Sequence, residues 1–98
     1  MTLRQEKEGK KLVLYIEGRV DTDTSPDLLE LLQKEMPDID ELVLDFKDVE
    51  YISSAGLRVV LFAQKTMNSQ GSMVVRNVCK EVMEIFELTC FTDILTII

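Results

Sequence analysis

Two adjacent serines stand where an apolar strand pattern gives way to a helix pattern. Ser53 and Ser54 follow a predicted strand at residues 42–46 and an acidic, aromatic segment, and they precede a strongly apolar helix that begins near Leu57. Backbone N–H groups at a helix start point outward, and the helix dipole favours negative charge there. The position therefore suits a bound or covalently attached phosphate. A helix N-cap at Ser54, worth about 1 kcal/mol, is the alternative role.

Charged side chains flank this position in the sequence. Arg58 lies four residues after Ser54, so on a helix the two share a face and the guanidinium could pair with a phosphate. Upstream, residues 18–24 form a loop dense in hydroxyls and carboxylates, with Asp21, Thr22 and Asp23 in succession. These carboxylates either satisfy N–H groups of their own loop or belong to the functional site, and the sequence leaves both roles open.

Residues suited to catalysis are scarce in this chain. It contains no histidine, which excludes Ser-His and Cys-His nucleophile pairs and phosphohistidine chemistry. Cys79 and Cys90 lack metal-ligand spacing, and we expect both to be buried free thiols. An enzyme with Ser54 as nucleophile would need a lysine or carboxylate base, and none is obviously paired with it. The sequence has no GxxxxGK[ST] or GxGxxG motif for nucleotides, so we expect no cofactor, no metal and no enzymatic activity.

Composition indicates one acidic globular domain spanning residues 1–98. Apolar residues make up 46% and charged residues 30% of the chain, as in soluble globular proteins. No apolar run approaches the roughly 18–20 residues that span a bilayer, and the N-terminus is too polar for a secretion signal, so we expect a cytoplasmic protein. The net charge of −7 argues against nucleic acid and anionic membranes as partners. It favours a macromolecular partner that offers a basic or apolar patch.

The elements before the serines are predicted to be a hairpin and a helix. Residues 2–7 and 11–17 have strand patterns, joined by a turn at residues 8–10. In the second strand Leu12, Leu14 and Ile16 share one face. A helix then begins with Ser25 as N-cap and Pro26 at its first position, carries an apolar stripe over residues 28–36, and ends at a second proline, residue 37.

The rest of the chain alternates strands and helices. A strand at residues 42–46 is followed by a buried helix over residues 57–67, and a short strand at residues 72–75 follows. Asn77 is a candidate cap for a third helix, and a bend at residues 91–93 leads into a last strand at residues 94–98. The order is β-β-α-β-α-β-α-β. This order predicts an α/β domain whose mixed, mostly parallel β-sheet has helices packed against it.

The residues around the serines resemble a known family. The segment at residues 45–57 has the sequence DFKDVEYISSAGL, and GRVD stands at residues 18–21 before the first helix. Together with the element order, these residues resemble the STAS domain, and within it the bacterial anti-sigma factor antagonists, over essentially the whole chain. The resemblance implies a single STAS-type domain that binds another protein and regulates sigma-dependent transcription.

The resemblance also implies a phosphorylation switch. In the antagonists, the serine at the head of the second helix is phosphorylated by a partner that is both anti-sigma factor and serine kinase. The unphosphorylated form binds that partner, and a serine phosphatase resets the cycle. The matching serine here is Ser54, and Asp21 matches an acidic position near it. We expect the partner-binding residues to be Asp21, Thr22, Asp23, Ser53, Ser54, Ala55, Gly56 and Arg58.

Two features depart from the family pattern. Many relatives have an aspartate immediately before the phosphoserine, whereas this chain has Ser53, which is therefore an alternative acceptor. Relatives also often continue into a further helix after the strand that ends here at Ile98. A second hypothesis is accordingly a STAS scaffold or transport-complex subunit in which the serine is never modified.

Overall fold

A four-stranded sheet forms the centre of the molecule, which the computed structural model describes over all 98 residues. The strands are β1 (Thr2–Glu8), β2 (Lys11–Val20), β3 (Glu41–Ile52) and β4 (Ser72–Arg76), and they lie side by side in that order. β1 is antiparallel to β2, whereas β2, β3 and β4 run parallel. The predicted α/β fold with a mixed, mostly parallel sheet is confirmed.

Three helices connect and flank these strands. They are α1 (Ser25–Glu35), α2 (Ser54–Gln70) and α3 (Lys80–Leu88), and short 3₁₀ turns follow α1 at Met36–Asp38 and α3 at Phe91–Asp93. Each parallel pair of strands is joined through a helix, because parallel neighbours need a long crossover. None of these helices combines the length and the apolar character that crossing a membrane requires.

Alternation along the strands defines the core. Leu12, Leu14 and Ile16 are fully buried, whereas Val13 and Tyr15 between them are half-buried. The predicted face of this strand is therefore confirmed. A cluster of 23 buried apolar residues fills the space beneath the helices. In it Phe46 of β3 packs on Phe86 of α3 with ring centroids 6.0 Å apart.

The strands β2 and β3 continue well past their predicted ends. We expected strands at residues 11–17 and 42–46, followed by loops, because the next residues are charged. Both boundaries are wrong, since β2 reaches Val20 and β3 reaches Ile52. The register between β2 and β3 shifts twice, and the second shift lies beside Gly18, which has φ +101°. After these shifts the two strands continue to pair, and the last pair is Val20 with Ile52. The charged residues of this region line the exposed side of a strand instead of a loop.

Several predicted caps are also wrong. Ser25 is the buried first residue of α1, and Thr24 takes the N-cap position. Cys79 instead of Asn77 takes the N-cap position of α3. Asn77 has φ +59°, which asparagine tolerates better than most residues, and its side-chain amide donates to the Asp45 carboxylate.

The C-terminal segment forms a bridge instead of a full strand. Residues 94–98 contain one parallel bridge, between Ile97 and Val75 of β4, with hydrogen bonds of 2.9 Å on each side of Val75. The predicted last strand at residues 94–98 is therefore wrong in extent, because only this bridge beside β4 forms. Both cysteines are free, as expected, yet Cys90 is exposed and Cys79 half-buried, so the prediction that both are buried is wrong.

Candidate functional site

The candidate site is built where the parallel strands β2 and β3 end side by side. Val20 pairs with Ile52 as the last rung of the ladder, and the Ser53 amide then donates to the Val20 carbonyl over 2.8 Å. One loop leaves β2 at Asp21, and α2 leaves β3 at Ser54. The two predicted parts of the site, far apart in sequence, are therefore adjacent in space.

Asp21 organises the loop between β2 and α1. Its Oδ1 atom accepts hydrogen bonds from the amides of Asp23 (3.0 Å) and Thr24 (3.1 Å) and from the Thr24 hydroxyl (3.2 Å). The Thr24 hydroxyl in turn accepts from the Asp21 amide and donates to the Arg19 carbonyl. The Thr24 amide, followed by the other donors and Arg19, lowers the pKa of the Asp21 carboxyl below its ordinary value. Asp21 is thus an anion that caps its own loop, while Thr22 and Asp23 are exposed.

The two serines have different structural positions. Ser53 has extended backbone, occupies the N-cap of α2, and its Oγ accepts from the Gly56 amide over a long 3.4 Å. Ser54 is the first residue of the helix and is exposed, whereas Ser53 is half-buried. The cap role considered for Ser54 is therefore filled by Ser53. This leaves the Ser54 side chain facing solvent at the positive end of the helix dipole.

Gly56 lets α2 approach the sheet closely. A Cβ atom at this position would lie 2.7 Å from both Ile52 Cγ1 and the Val20 carbonyl oxygen. The residue is buried, and Ala55 beside it is half-buried. Gly56 therefore supports the site by allowing the helix start to sit directly on the last rung of β2 and β3.

Two further residues, which the sequence did not single out, complete the rim. The Arg19 guanidinium lies 4.3 Å from the centroid of the Tyr51 ring, and its Nε is 3.7 Å from Asp21 Oδ2. Arg19 and Tyr51 are ladder partners one rung before Val20 and Ile52. Arg19 stands two residues before Asp21, and Tyr51 stands two residues before Ser53. The sequence does not show that Arg19 and Tyr51 are neighbours, because their contact depends on the register of β2 with β3.

Arg58 projects from the exposed side of α2, one turn after Ser54. The geometry of a helix therefore places the two on the same face, as predicted. Phe62 follows after one more turn and is 38% exposed, although the apolar run containing it was predicted to be core. That prediction is correct for Val59 and Val60, which are buried, and wrong for Phe62.

A second polar cluster lies in the middle of the sheet and was not predicted. The Asp45 carboxylate is 5% exposed and accepts from Arg76 Nε (2.9 Å), Asn77 Nδ2 (3.1 Å) and the Lys47 amide (2.9 Å). Burial alone would raise the pKa of Asp45, but these donors outweigh it and the pKa is lowered. The hydrogen bond to Asp45 raises the pKa of Arg76. The cluster fastens the end of β4, at Arg76, to the middle of β3, at Asp45.

The candidate site lies at the carboxyl end of two parallel strands in a small α/β domain. It combines an exposed hydroxyl at a helix start, a fixed carboxylate in the neighbouring loop and a guanidinium one turn away. No group of three or more histidine, cysteine, aspartate or glutamate side chains is placed to hold a metal ion.

Comparison with known proteins identifies the family. The model described as "Mlab, STAS domain" matches residues 3–96, so the chain belongs to the STAS domain family. BtrV of Bordetella bronchiseptica, which carries the name of an anti-sigma factor antagonist, is 34% identical over 96 residues, covering 96% of this chain and 83% of BtrV. The anti-sigma-B factor antagonist of Listeria monocytogenes is 28% identical over 97 residues, covering 95% and 83%.

A solved structure supports the same fold. The anti-sigma factor antagonist SpoIIAA in its unphosphorylated form matches with a TM-score of 0.85 at 13% identity, covering 99% of this chain and 88% of SpoIIAA. The phosphorylated form, from Bacillus, matches with a TM-score of 0.77 at 12% identity, covering 99% and 91%. At these identities the likeness establishes the fold alone. The names of the curated relatives describe regulatory proteins and not enzymes, in agreement with the prediction that this chain is not an enzyme.

Proposed function

We propose that the chain is an anti-sigma factor antagonist whose binding is switched off by phosphorylation of Ser54. The observation that carries this proposal is the division of labour between the two serines. Ser53 caps α2, so the exposed Ser54 hydroxyl has no structural task at the helix start. The names of BtrV and the Listeria relative supply the class of partner.

The fold would tolerate a phosphate on Ser54. A phosphoserine carries about −1.5 to −2 charges near neutral pH. The free amides and dipole of the α2 start favour such a charge by roughly 0.3–1 kcal/mol. Arg58, one turn along, can offset part of the remaining charge, although an exposed pair of this kind is screened by solvent.

The consequence of phosphorylation would fall on the interface with the partner. A charge left buried and unpaired at a close contact costs several kcal/mol, and each 1.4 kcal/mol changes the affinity about tenfold. One phosphate can therefore abolish binding while the domain keeps its shape. In this proposal the partner is an anti-sigma factor with serine kinase activity, and a serine phosphatase restores the binding form.

The test uses each anti-sigma factor encoded in the source genome, purified and mixed with the chain with and without ATP. We expect one of these anti-sigma factors to bind the wild type and the Ser54→Ala variant, but not the Ser54→Asp variant. With ATP, mass spectrometry should find phosphate on Ser54, and none on the Ser54→Ala variant. Thr92→Asp, at an exposed position in the 3₁₀ turn Phe91–Asp93, is the control for added charge and should keep binding. Phosphate on Ser53 alone, or equal binding of Ser54→Ala and Ser54→Asp, would contradict the switch.

A scaffold role is the second candidate. The family model that matches the chain describes a STAS domain, which fits a scaffold or transport-complex subunit as well as an antagonist. In that role Ser54 is never modified, and the Ser54→Ala and Ser54→Asp variants retain the same partner with the same affinity. The binding comparison above therefore separates the two functions.

A further inference from the structure

The helix α2 has a charge opposite in sign to that of the chain. Its 17 residues, SAGLRVVLFAQKTMNSQ, include the basic Arg58 and Lys65 and no acidic residue. The whole chain has 18 acidic against 11 basic residues and a net charge of −7. α2 is thus a basic segment within an acidic protein. A partner that contacts this helix would therefore meet a local charge opposite in sign to the net charge of the protein.

Four exposed residues in the first three turns of α2 form one stripe. Ser54, Arg58, Phe62 and Lys65 are all exposed, and their spacing of four, four and three residues places them along a single face. Phe62 is one of only five large apolar side chains with substantial exposure in the chain. An exposed aromatic ring between two cations is typical of a contact surface more than of a solvated helix face.

A groove runs beside this stripe. It has a volume of about 180 Å³ between α1 and α2, and its walls are Leu29, Gln33, Arg58, Val59 and Phe62. Past Phe62 the surface continues into a second depression that reaches Met36 and Pro37. An apolar side chain of a partner could enter the groove while its flanking residues reach the two cations.

We propose that the outer face of α2, from Ser54 to Lys65, is the docking surface for the anti-sigma factor, which presents an apolar side chain flanked by carboxylates. The inference rests on the proposed function and specifies the surface of the partner. The apolar side chain lies in the groove against Phe62, and the carboxylates pair with Arg58 and Lys65. A phosphate on Ser54 would stand at one end of this stripe and repel the acidic partner surface. The switch would therefore act through like-charge repulsion as well as steric block.

Isothermal titration calorimetry with the purified anti-sigma factors of the source genome tests the surface. We expect Phe62→Ala to weaken binding roughly tenfold or more, as loss of a central aromatic contact does. Lys65→Ala should weaken it about threefold to tenfold, because charge pairs at an interface rim contribute less. Lys34→Ala is the matched control, because Lys34 is an exposed lysine on the other flank of α1, where it lines a depression with Leu3 and Gln5. It should leave the affinity unchanged.

The sign of the charge effect decides the chemistry of the partner. If the partner surface is acidic, Lys65→Glu weakens binding more than Lys65→Ala does, and raising the salt from about 50 to about 500 mM weakens the wild type more than either variant. If the partner surface is basic, Lys65→Glu strengthens binding, which overturns the proposal. Unchanged affinity for both Phe62→Ala and Lys65→Glu would also overturn it.

Failure of this surface and failure of the proposed function give different results. If no anti-sigma factor binds the wild type, or if Ser54→Asp binds as well as Ser54→Ala, the proposed function fails and this inference fails with it. If Ser54→Asp alone loses binding while the Phe62 and Lys65 variants keep it, the switch stands and the α2 surface is wrong. Thermal melts of each variant establish that it is folded. If Phe62→Ala is destabilised, the binding of Lys65→Glu still tests the surface, because Lys65 is exposed.

Discussion

The Ser53 amide donates a 2.8 Å hydrogen bond to the Val20 carbonyl, so the residue before the candidate phosphoacceptor is fixed to the residue before Asp21. This bond continues the pairing of β2 with β3 by one residue beyond the last rung. The acidic loop and the start of α2 are therefore parts of one rigid unit. A partner that contacts both meets a preformed surface, which lowers the entropic cost of binding.

Replacement of the two serines should affect stability differently. Ser53→Ala removes the N-cap of α2 and should lower the free energy of unfolding by about 0.5–1 kcal/mol, the lower part of the range for caps, because the Ser53 Oγ to Gly56 amide distance is long at 3.4 Å. Ser54→Ala changes an exposed first-turn residue and should stay within about 0.5 kcal/mol of the wild type. Urea denaturation of both variants checks this, and a larger loss for Ser54→Ala would contradict the assignment of the cap.

A side chain at position 56 should disrupt the helix start. Gly56→Ala would place a Cβ 2.7 Å from both Ile52 Cγ1 and the Val20 carbonyl oxygen, so α2 must shift away from the sheet. Overpacking of this kind costs about 1–3 kcal/mol, and we expect a drop of that size in the free energy of unfolding. Ser54→Gly, two residues earlier and exposed, is a control for backbone entropy without a clash. Wild-type stability in Gly56→Ala would mean that the approach of the helix to Val20 is not rigid.

The fold class was predictable because strand and helix periodicities alternate clearly along the chain. The residues at which strands and helices end were not predictable, and β3 shows the reason. Lys47, Asp48 and Glu50 have the composition of a turn, yet they extend a strand because β2 continues beside it through two irregularities in the register. Such pairing is a tertiary property that local sequence does not encode. The same is true of Asn77, whose amide is drawn away from the start of α3 by the buried Asp45 carboxylate.

The sequence predicted which residues form the candidate site better than it predicted what each of them does there. The position of Ser54 at the head of α2 and of Asp21 next to it followed from the motif. That Ser53 would cap the helix, and that Asp21 would hold its own loop through Thr24, depends on backbone angles and hydrogen bonds that the sequence leaves open. The outward position of Phe62 could not be predicted either, because an apolar residue within an apolar helix is usually buried.

Removal of the Arg58 guanidinium should affect binding more than folding. Arg58 is exposed and projects from α2 one turn after Ser54, so Arg58→Ala should change the free energy of unfolding by no more than about 0.5 kcal/mol. We expect the affinity for the anti-sigma factor to fall by a larger free energy, about 1 kcal/mol or more. Matched denaturation curves and binding isotherms measure both quantities on the same sample. A variant that is clearly destabilised but binds with unchanged affinity would contradict this prediction.

The buried Asp45 carboxylate should give the protein a specific loss of stability in acid. Its pKa is lowered in the folded state, because the donors around it, including Arg76 and Asn77, outweigh the effect of burial. The unfolded chain, with an ordinary aspartate pKa of about 3.9, therefore binds the proton more readily than the folded chain does. The stabilisation is fully present above that pH and is lost as the pH falls through the lowered folded pKa.

Comparison of Asp45→Asn with the wild type isolates this contribution. At neutral pH the variant should be less stable by about 1.5–3 kcal/mol, the typical worth of hydrogen bonds to a buried charge. The difference should shrink as the pH is lowered below about 4, because the wild type then loses its own carboxylate. The lowered pKa of Asp21 affects both proteins equally and cancels in the difference. Asp48→Asn, an exposed change three residues further along β3, should change the free energy of unfolding by no more than about 0.5 kcal/mol at neutral pH. A stability difference for Asp45→Asn that stays constant into acid would mean that the Asp45 charge does not stabilise the fold, and that only the shape of the side chain matters at the junction of β3 and β4.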